Sequence, residues 1–182
     1  MIRGLLWVLG GILLGGIVHL ATVLLLPSTA TRDAYDRLLP TTPVNSIAQL
    51  PPPTPEKAVL PFMDPAFSAD VCRYDLANGP LKLTTPVSQA YTSVSFYTRY
   101  GVAYYAINDR AAGRRVIELD LMTTEQHNQM PEEEDVTAAD RLIVDSPTLT
   151  GLIVIRALAP EPGQMPAAQS VLARAQCRVQ PQ

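Results

Sequence analysis

The chain has 182 residues and a mass of 19.8 kDa, room for one domain of ordinary size. A net charge of −3, a pI near 5.3, only 17% charged residues, two His and two Cys argue against a binder of phosphate backbones, a His-rich metal site and a disulfide-dense miniprotein. A multi-span transporter is excluded too, because long apolar sequence occurs once.

That stretch is Gly4 to Leu26, 23 residues without a charge. As an α-helix it reaches roughly 34 Å, enough to cross a bilayer core of about 30 Å. Fourteen of its residues are Leu, Ile or Val. At about −0.3 to −0.6 kcal/mol each, they outweigh the five Gly and His19 and favour insertion. Ser28-Thr29-Ala30 offers a small-x-small cleavage site, but the apolar run exceeds the roughly 7–15 residues of a signal-peptide core. An uncleaved anchor is the expectation. Basic residues flank both ends, Arg3 before and Arg32 and Arg37 after, so charge alone does not choose an orientation. The short N-terminal tail favours residues 1–3 in the cytoplasm and the C-terminal part in the periplasm. Gly11 and Gly15 form a Gly-x-x-x-Gly pair with His19 one turn further on, a candidate helix-pairing face. The alternative is the ordinary abundance of Gly in membrane helices.

Residues 27–66 read as a Pro-rich linker. Thr31 or Asp33 can cap a brief helix holding Ala34, Tyr35, Leu38 and Leu39, which Pro40 ends. Eight prolines fall between Pro40 and Pro65, which predicts an extended polyproline spacer between membrane and domain.

From 67 to 179 the pattern becomes that of strands, with 180–182 as a tail. Six runs stand out: Leu81–Thr85, Ala90–Thr98, Gly101–Ile107, Arg115–Leu121, Arg141–Val144 and Gly151–Leu158. A short helical turn is expected at Thr123–His127 and a helix at Pro166–Cys177. The fold class is therefore mainly β, an antiparallel sandwich or barrel-like domain with a C-terminal helix, preceded by one transmembrane helix.

Candidate functional residues are few. Cys72 and Cys177 bracket the domain and can join as a disulfide in an oxidising compartment; the alternative is two reduced thiols. His127 reads as a solvated loop histidine. The run Glu132 to Asp135 lacks the spacing of a calcium loop and reads as a hydrated surface. Nothing assigns a cofactor or a metal. Five of the seven tyrosines lie between Tyr91 and Tyr105. They serve as cross-strand packing or, where they face outward, as a groove for sugar or lipid. Adjacent Tyr104 and Tyr105 are expected on opposite faces of a strand.

Several segments carry a resemblance. Arg73 to Leu83 contains Asp-Leu-x-x-Gly-Pro, Tyr104-Tyr105 precedes Asn108-Asp109, and Arg141 to Pro147 leads into Val-x-Ser-Pro-Thr. Together they resemble the bacterial domain of unknown function 1254, over about Phe67 to Cys177. The resemblance implies a mainly β fold in the cell envelope and marks Arg156, near the end of a strand, beside Tyr91, Tyr97, Tyr104 and Tyr105 as a possible ligand face. Members often carry a second β domain, unknown-function domain 1214. The expectation here is that a separate partner protein supplies it.

Two functions follow as expectations. One is a single-pass inner-membrane protein whose periplasmic domain is a binding or assembly module, with no nucleic acid as partner. The other is an envelope enzyme, or half-site of one, acting on an anionic or carbohydrate/lipid substrate with a partner subunit, its groups drawn from the tyrosines, Asp109, Arg114 and Arg115.

Overall fold

A computed structural model describes residues 2–29, 33–130 and 142–180. The acidic run at 132–135 lies outside the described residues. Contacts divide the chain into two units, residues 1–33 and residues 34–182.

The first unit is one helix, α1 (Ile2–Thr29), whose stretch Ile2–Leu26 is long and apolar enough to span a membrane. Its Leu, Ile and Val side chains point outward with no protein against them, as lipid-facing side chains do. A Cβ built on Gly11 or Gly15 meets nothing within 4 Å. Space beside both glycines is therefore open along α1.

The second unit is a two-sheet sandwich with nine strands among its described residues: β1 (Ile47–Gln49), β2 (Phe67–Asp75), β3 (Leu81–Pro86), β4 (Thr92–Thr98), β5 (Ala103–Asn108), β6 (Val116–Thr123), β7 (Leu142–Ser146), β8 (Thr150–Leu158) and β9 (Gln176–Val179). One sheet has the order β1-β2-β8-β4-β5 and the other β7-β6-β3-β9. Pairing is antiparallel except between β6 and β7, which run parallel. Short helices sit at the joints: α2 (Ala34–Leu38), α3 (Asp109–Ala112), α4 (Thr124–Asn128) and α5 (Met165–Leu172).

The core lies between the sheets. Alternation along β3, β4 and β6 turns Leu81, Leu83, Val94, Phe96, Ile117, Leu119 and Leu121 inward against Tyr74, Ile153 and Ile155. α5 lays Ala168 and Leu172 on the same core. The expected helix through Cys177 is shorter than its apolar stripe implied. It stops at Leu172, and Cys177 turns out to lie on β9, paired with Leu83 of β3.

The proline-rich region departs most from expectation. Instead of extending as a spacer, residues 34–66 add β1 to the edge of the five-stranded sheet and lay apolar side chains from either side of it on that sheet's outer face. Leu38 and Leu50 are buried there with Ala69, Val71, Leu152 and Val154, and Leu60 and Met63 flank them. Tyr35 of α2 lies beneath two guanidinium groups, Arg99 at 4.3 Å and Arg73 at 4.9 Å from its ring centre, while Asp36 accepts from Arg99 at 2.9 Å. Asn45 has a φ of 56° and exchanges side-chain hydrogen bonds with Asp75, accepting from its amide and donating to its carbonyl. Proline costs a segment its amide donors, but the stretch between Pro43 and Pro51 keeps them, so Asn45 and Leu50 donate to the carbonyls of Arg73 and Ala69 and β1 pairs with β2.

Cys72 on β2 and Cys177 on β9 form a disulfide that crosses from one sheet to the other, with Cα atoms 6.5 Å apart. Near the far end of β2 the Tyr74 hydroxyl lies 2.9 Å from Ser146 Oγ and 3.1 Å from the Tyr104 hydroxyl. Burial, followed by the neighbouring Tyr74, pushes the Tyr104 phenol upward, so it stays neutral. Gly151 leaves room for this cluster, since a Cβ there falls 2.3 Å from the Tyr97 carbonyl oxygen and 2.4 Å from the Tyr74 hydroxyl.

Two stability outcomes follow. Gly151→Ala should destabilise the domain by about 1–3 kcal/mol or more in urea unfolding, because one contact is with backbone and cannot rotate away. Replacing Cys72 and Cys177 together by Ala should cost about 2–5 kcal/mol, read in the same assay against oxidised wild type.

Candidate functional site

The outer face of the five-stranded sheet carries the best-formed pocket near the expected ligand residues. β8 places Arg156 opposite Ser93 of β4 and Ala69 of β2, so all three face outward together. The chain entering β2, residues 60–67, folds over this patch. The result is a pocket of about 340 Å³ with Leu60, Met63 and Val154 in its apolar wall and Tyr91, Asp64 and Arg156 as its polar groups. Tyr91 is held edge-on against Phe67, ring centres 6.4 Å apart.

The charges here are unequal. Asp64 Oδ1 accepts from the amide of Ala66 at 2.9 Å, a local turn that occupies one of its oxygens. Arg156 is exposed and forms no ion pair with any described residue. An apolar pocket with one unspent guanidinium suits an anionic group carried on an apolar body. Phe62, on the rim, is fully exposed and has a φ of 60°, a left-handed conformation uncommon for a bulky residue.

Of the five residues expected on a ligand face, the structure brings Tyr91 and Arg156 together. Tyr97 shares their side of the sheet but packs beside the Leu152 and Val154 cluster. Tyr104 and Tyr105 are half-buried and pack against the main core. The expectation that they face opposite ways fails because the register shifts between Phe96 and Tyr97, where Phe96 pairs with Tyr105 and Tyr97 with Ala103. This β-bulge turns both rings toward Phe96, at 6.1 Å and 5.8 Å. Phe62, Met63 and Asp64 were hidden from sequence reasoning by their place among the prolines. The exposed aromatic between Pro61 and Asp64 was the one available signal.

The residues weighed for catalysis are dispersed. Asp109 opens α3, with Oδ1 3.4 Å from the amide of Thr92. His127 is neither in a loop nor solely solvated: it lies on α4, and its Nδ1 is 2.9 Å from Asp145 Oδ1. A capping box between Thr123 and Gln126 fixes that helix, and Gln126 donates to the carbonyl of Leu76.

On the inner face, a second feature went unread in the sequence. Asp70 of β2 is fully buried, and neither carboxylate oxygen has a hydrogen-bond partner. It lines an open cavity of about 560 Å³ at the sandwich edge, between β1 and the junction of α5 with β9. Loss of solvent pushes its pKa up from 3.8 to about 6. Ser68, two residues earlier on the same face, also has a buried hydroxyl without a partner.

The domain is a two-sheet β sandwich that follows, in the chain, a helix long and apolar enough to span a membrane. The sequence matches the family described as "Protein of unknown function (DUF1254)" over residues 44–181, and the chain belongs to that family. Its fold is similar to the VPA0106 protein from Vibrio parahaemolyticus, with a TM-score of 0.57 and 14% identity, covering 80% of this chain and 34% of that one. An uncharacterised protein from Burkholderia cenocepacia aligns with a TM-score of 0.45 and 14% identity, over 74% of this chain and 34% of that one. The chain therefore spans about a third of the length of these solved proteins. Among curated proteins, none matches the sequence.

Asp70 yields a pH prediction. Its folded pKa of about 6 exceeds its ordinary 3.8, so the folded state holds the proton more tightly. Its contribution is most favourable below about pH 4 and is lost as pH rises through about 6, a fall of roughly 2–3 kcal/mol. The difference between wild-type and Asp70→Asn unfolding curves across this range should carry that slope. Parallel curves would place the titration elsewhere.

Proposed function

We propose that the protein is a single-pass inner-membrane protein whose β domain stands in the periplasm as a binding and assembly module. The observation that carries this reading is the outer-face pocket, in which Arg156 meets apolar walls and the Tyr91 ring. Its volume is at the lower end of small-molecule sites, which run from about 300 to 1,000 Å³. Its chemistry is that of recognition: a guanidinium for an acid group, aliphatic side chains for a short chain and an aromatic edge between them. The ligand class is an amphipathic anion such as a medium-chain carboxylic acid.

The location rests on other features. α1 has the length and composition of an anchor, and the Cys72–Cys177 disulfide persists best in an oxidising compartment. With Gly11, Gly15 and His19 on one open face, α1 supplies a route to pairing within the bilayer. A second protein carrying a domain of the 1214 type is the proposed assembly partner, in keeping with the family resemblance.

Decanoate titrated into the full chain in nanodiscs tests the pocket. Wild type should bind decanoate and not decanol, and Arg156→Gln should weaken binding at least about tenfold, which corresponds to about 1.4 kcal/mol. Equal binding of acid and alcohol, or indifference to the substitution, would remove the pocket from the reading. The location has its own check. Mass spectrometry of membrane-fraction protein should find an intact Met1 terminus and oxidised cysteines, whereas free thiols would overturn the periplasmic placement.

A further inference from the structure

One end of the five-stranded sheet gathers several turns of the chain. β2 ends and β8 begins there, because Asp75 pairs with Thr150. β4 ends there as well, because Thr98 pairs with Gly151. The β4–β5 turn therefore lies beside the β7–β8 turn, with Tyr100 and Val102 exposed on the first and Leu149 on the second. α2 is pinned at the same end by the Asp36–Arg99 ion pair and by Tyr35 beneath Arg73 and Arg99. It is followed by exposed Leu39, and exposed Val44 bridges to Arg73.

Exposed apolar side chains are concentrated at this end. The described residues of the second unit expose seven large ones, and all but Phe62 and Val116 belong here. The segments that supply them carry no Asp, Glu, Lys or Arg over residues 38–55, 100–108 and 146–155. Glu125, His127 and Asp145 stand on the side of the other sheet, on α4 and β7. Single exposed apolar residues are ordinary on a protein surface, but a gathering of them on uncharged turns marks a contact surface.

Chain connectivity says what covers it. α1 ends at Thr29 and α2 begins at Ala34, and the peptide steps between them reach about 18 Å at most. We propose that this end of the domain docks on the lipid bilayer that α1 spans, with Leu39, Tyr100, Val102 and Leu149 in the headgroup boundary. The inference rests on the reading of α1 as an uncleaved anchor. Tyrosine suits that boundary, because its ring is apolar while its hydroxyl stays wet. A few such side chains bind a membrane weakly by themselves. A short tether holds them beside it at an effective concentration on the order of millimolar, where weak contact suffices. Docking by this end keeps the Arg156 pocket away from lipid, since Phe67 and Tyr91 in its wall lie where β2 and β4 begin.

The test is tryptophan fluorescence of the full chain in nanodiscs whose lipids carry bromine, a quencher, high on the acyl chains. Trp7, the one tryptophan of the sequence, lies in α1 and reports the anchor in wild type. In a Trp7→Phe background, Val102→Trp and Leu149→Trp report the docked end, and Phe62→Trp reports the opposite one. All three positions are exposed, and thermal melts confirm that the variants fold. The first two should lose at least about half their emission relative to unbrominated nanodiscs, since interfacial side chains sit about 5–10 Å deep. Phe62→Trp should be unaffected. Quenched Trp7 with Val102→Trp and Leu149→Trp unquenched overturns the docking and leaves the anchor standing. Equal quenching of Phe62→Trp also overturns it, because contact is then not confined to this end. An unquenched Trp7 removes the anchor itself, and the proposal with it.

Discussion

The constraint on which the structure depends is that one pair of strands, β2 and β8, must be covered on both faces. They align over nine residue pairs, and most of their side chains are buried. One face meets the second sheet and α5, and the other meets residues 34–66. Remove the outer layer and Val71, Leu152 and Val154 meet water; remove the inner one and the main core is exposed. A central antiparallel pair of this kind needs two covering layers, and a sandwich of four strands on five supplies only one. The proline-rich segment supplies the other, which is why it cannot be a free tether. Its attachment uses what proline leaves available: the three-residue pairing of β1 with β2, the Tyr35 ring under two arginines, the Asn45 side chain and a few apolar residues.

The same constraint explains how far the sequence could be read. Alternation exposes β3, β4 and the start of β6 because their outward residues are only partly covered, so Leu81 and Leu83, or Ile117 and Leu119, stand out against their neighbours. β2 gives no such signal. Phe67 to Asp75 reads FSADVCRYD, with Asp70 and Arg73 inside the protein, and no simple period survives two-sided burial. β1 and β9, at three and four residues, are too short for a period to register. The cysteine pairing was legible because it depends on spacing around a domain rather than on local pattern. The bulge at Tyr104 was not legible, since a one-residue slip leaves composition unchanged while reversing which face a side chain takes.

The candidate sites follow the same division. Tyr91 and Arg156 could be named from sequence, but the wall completing their pocket comes from residues 60–67, whose folded position depends on tertiary packing. Asp70 could not be distinguished from any surface aspartate until its strand was known to be covered on both sides. Burial creates its chemical character; the residue type does not.

Sheet geometry then makes two sites on one sheet physically separable. Neighbouring residues on a strand face opposite ways, so Ala69 borders the Arg156 pocket while Asp70 borders the edge cavity. The outer pocket is built on a covering segment that backbone hydrogen bonds tie to the sheet at both ends, from Leu50 to Ala69 and from Ala159 to Ala66. The edge cavity is framed by β1, β2 and β9, two of them tied by a disulfide, and its shape is correspondingly fixed. The fold thus places two cavities on opposite faces of a single sheet, one lined mainly by apolar side chains with Arg156 and one bordered by the buried Asp70, with the hydrogen-bonded strands between them.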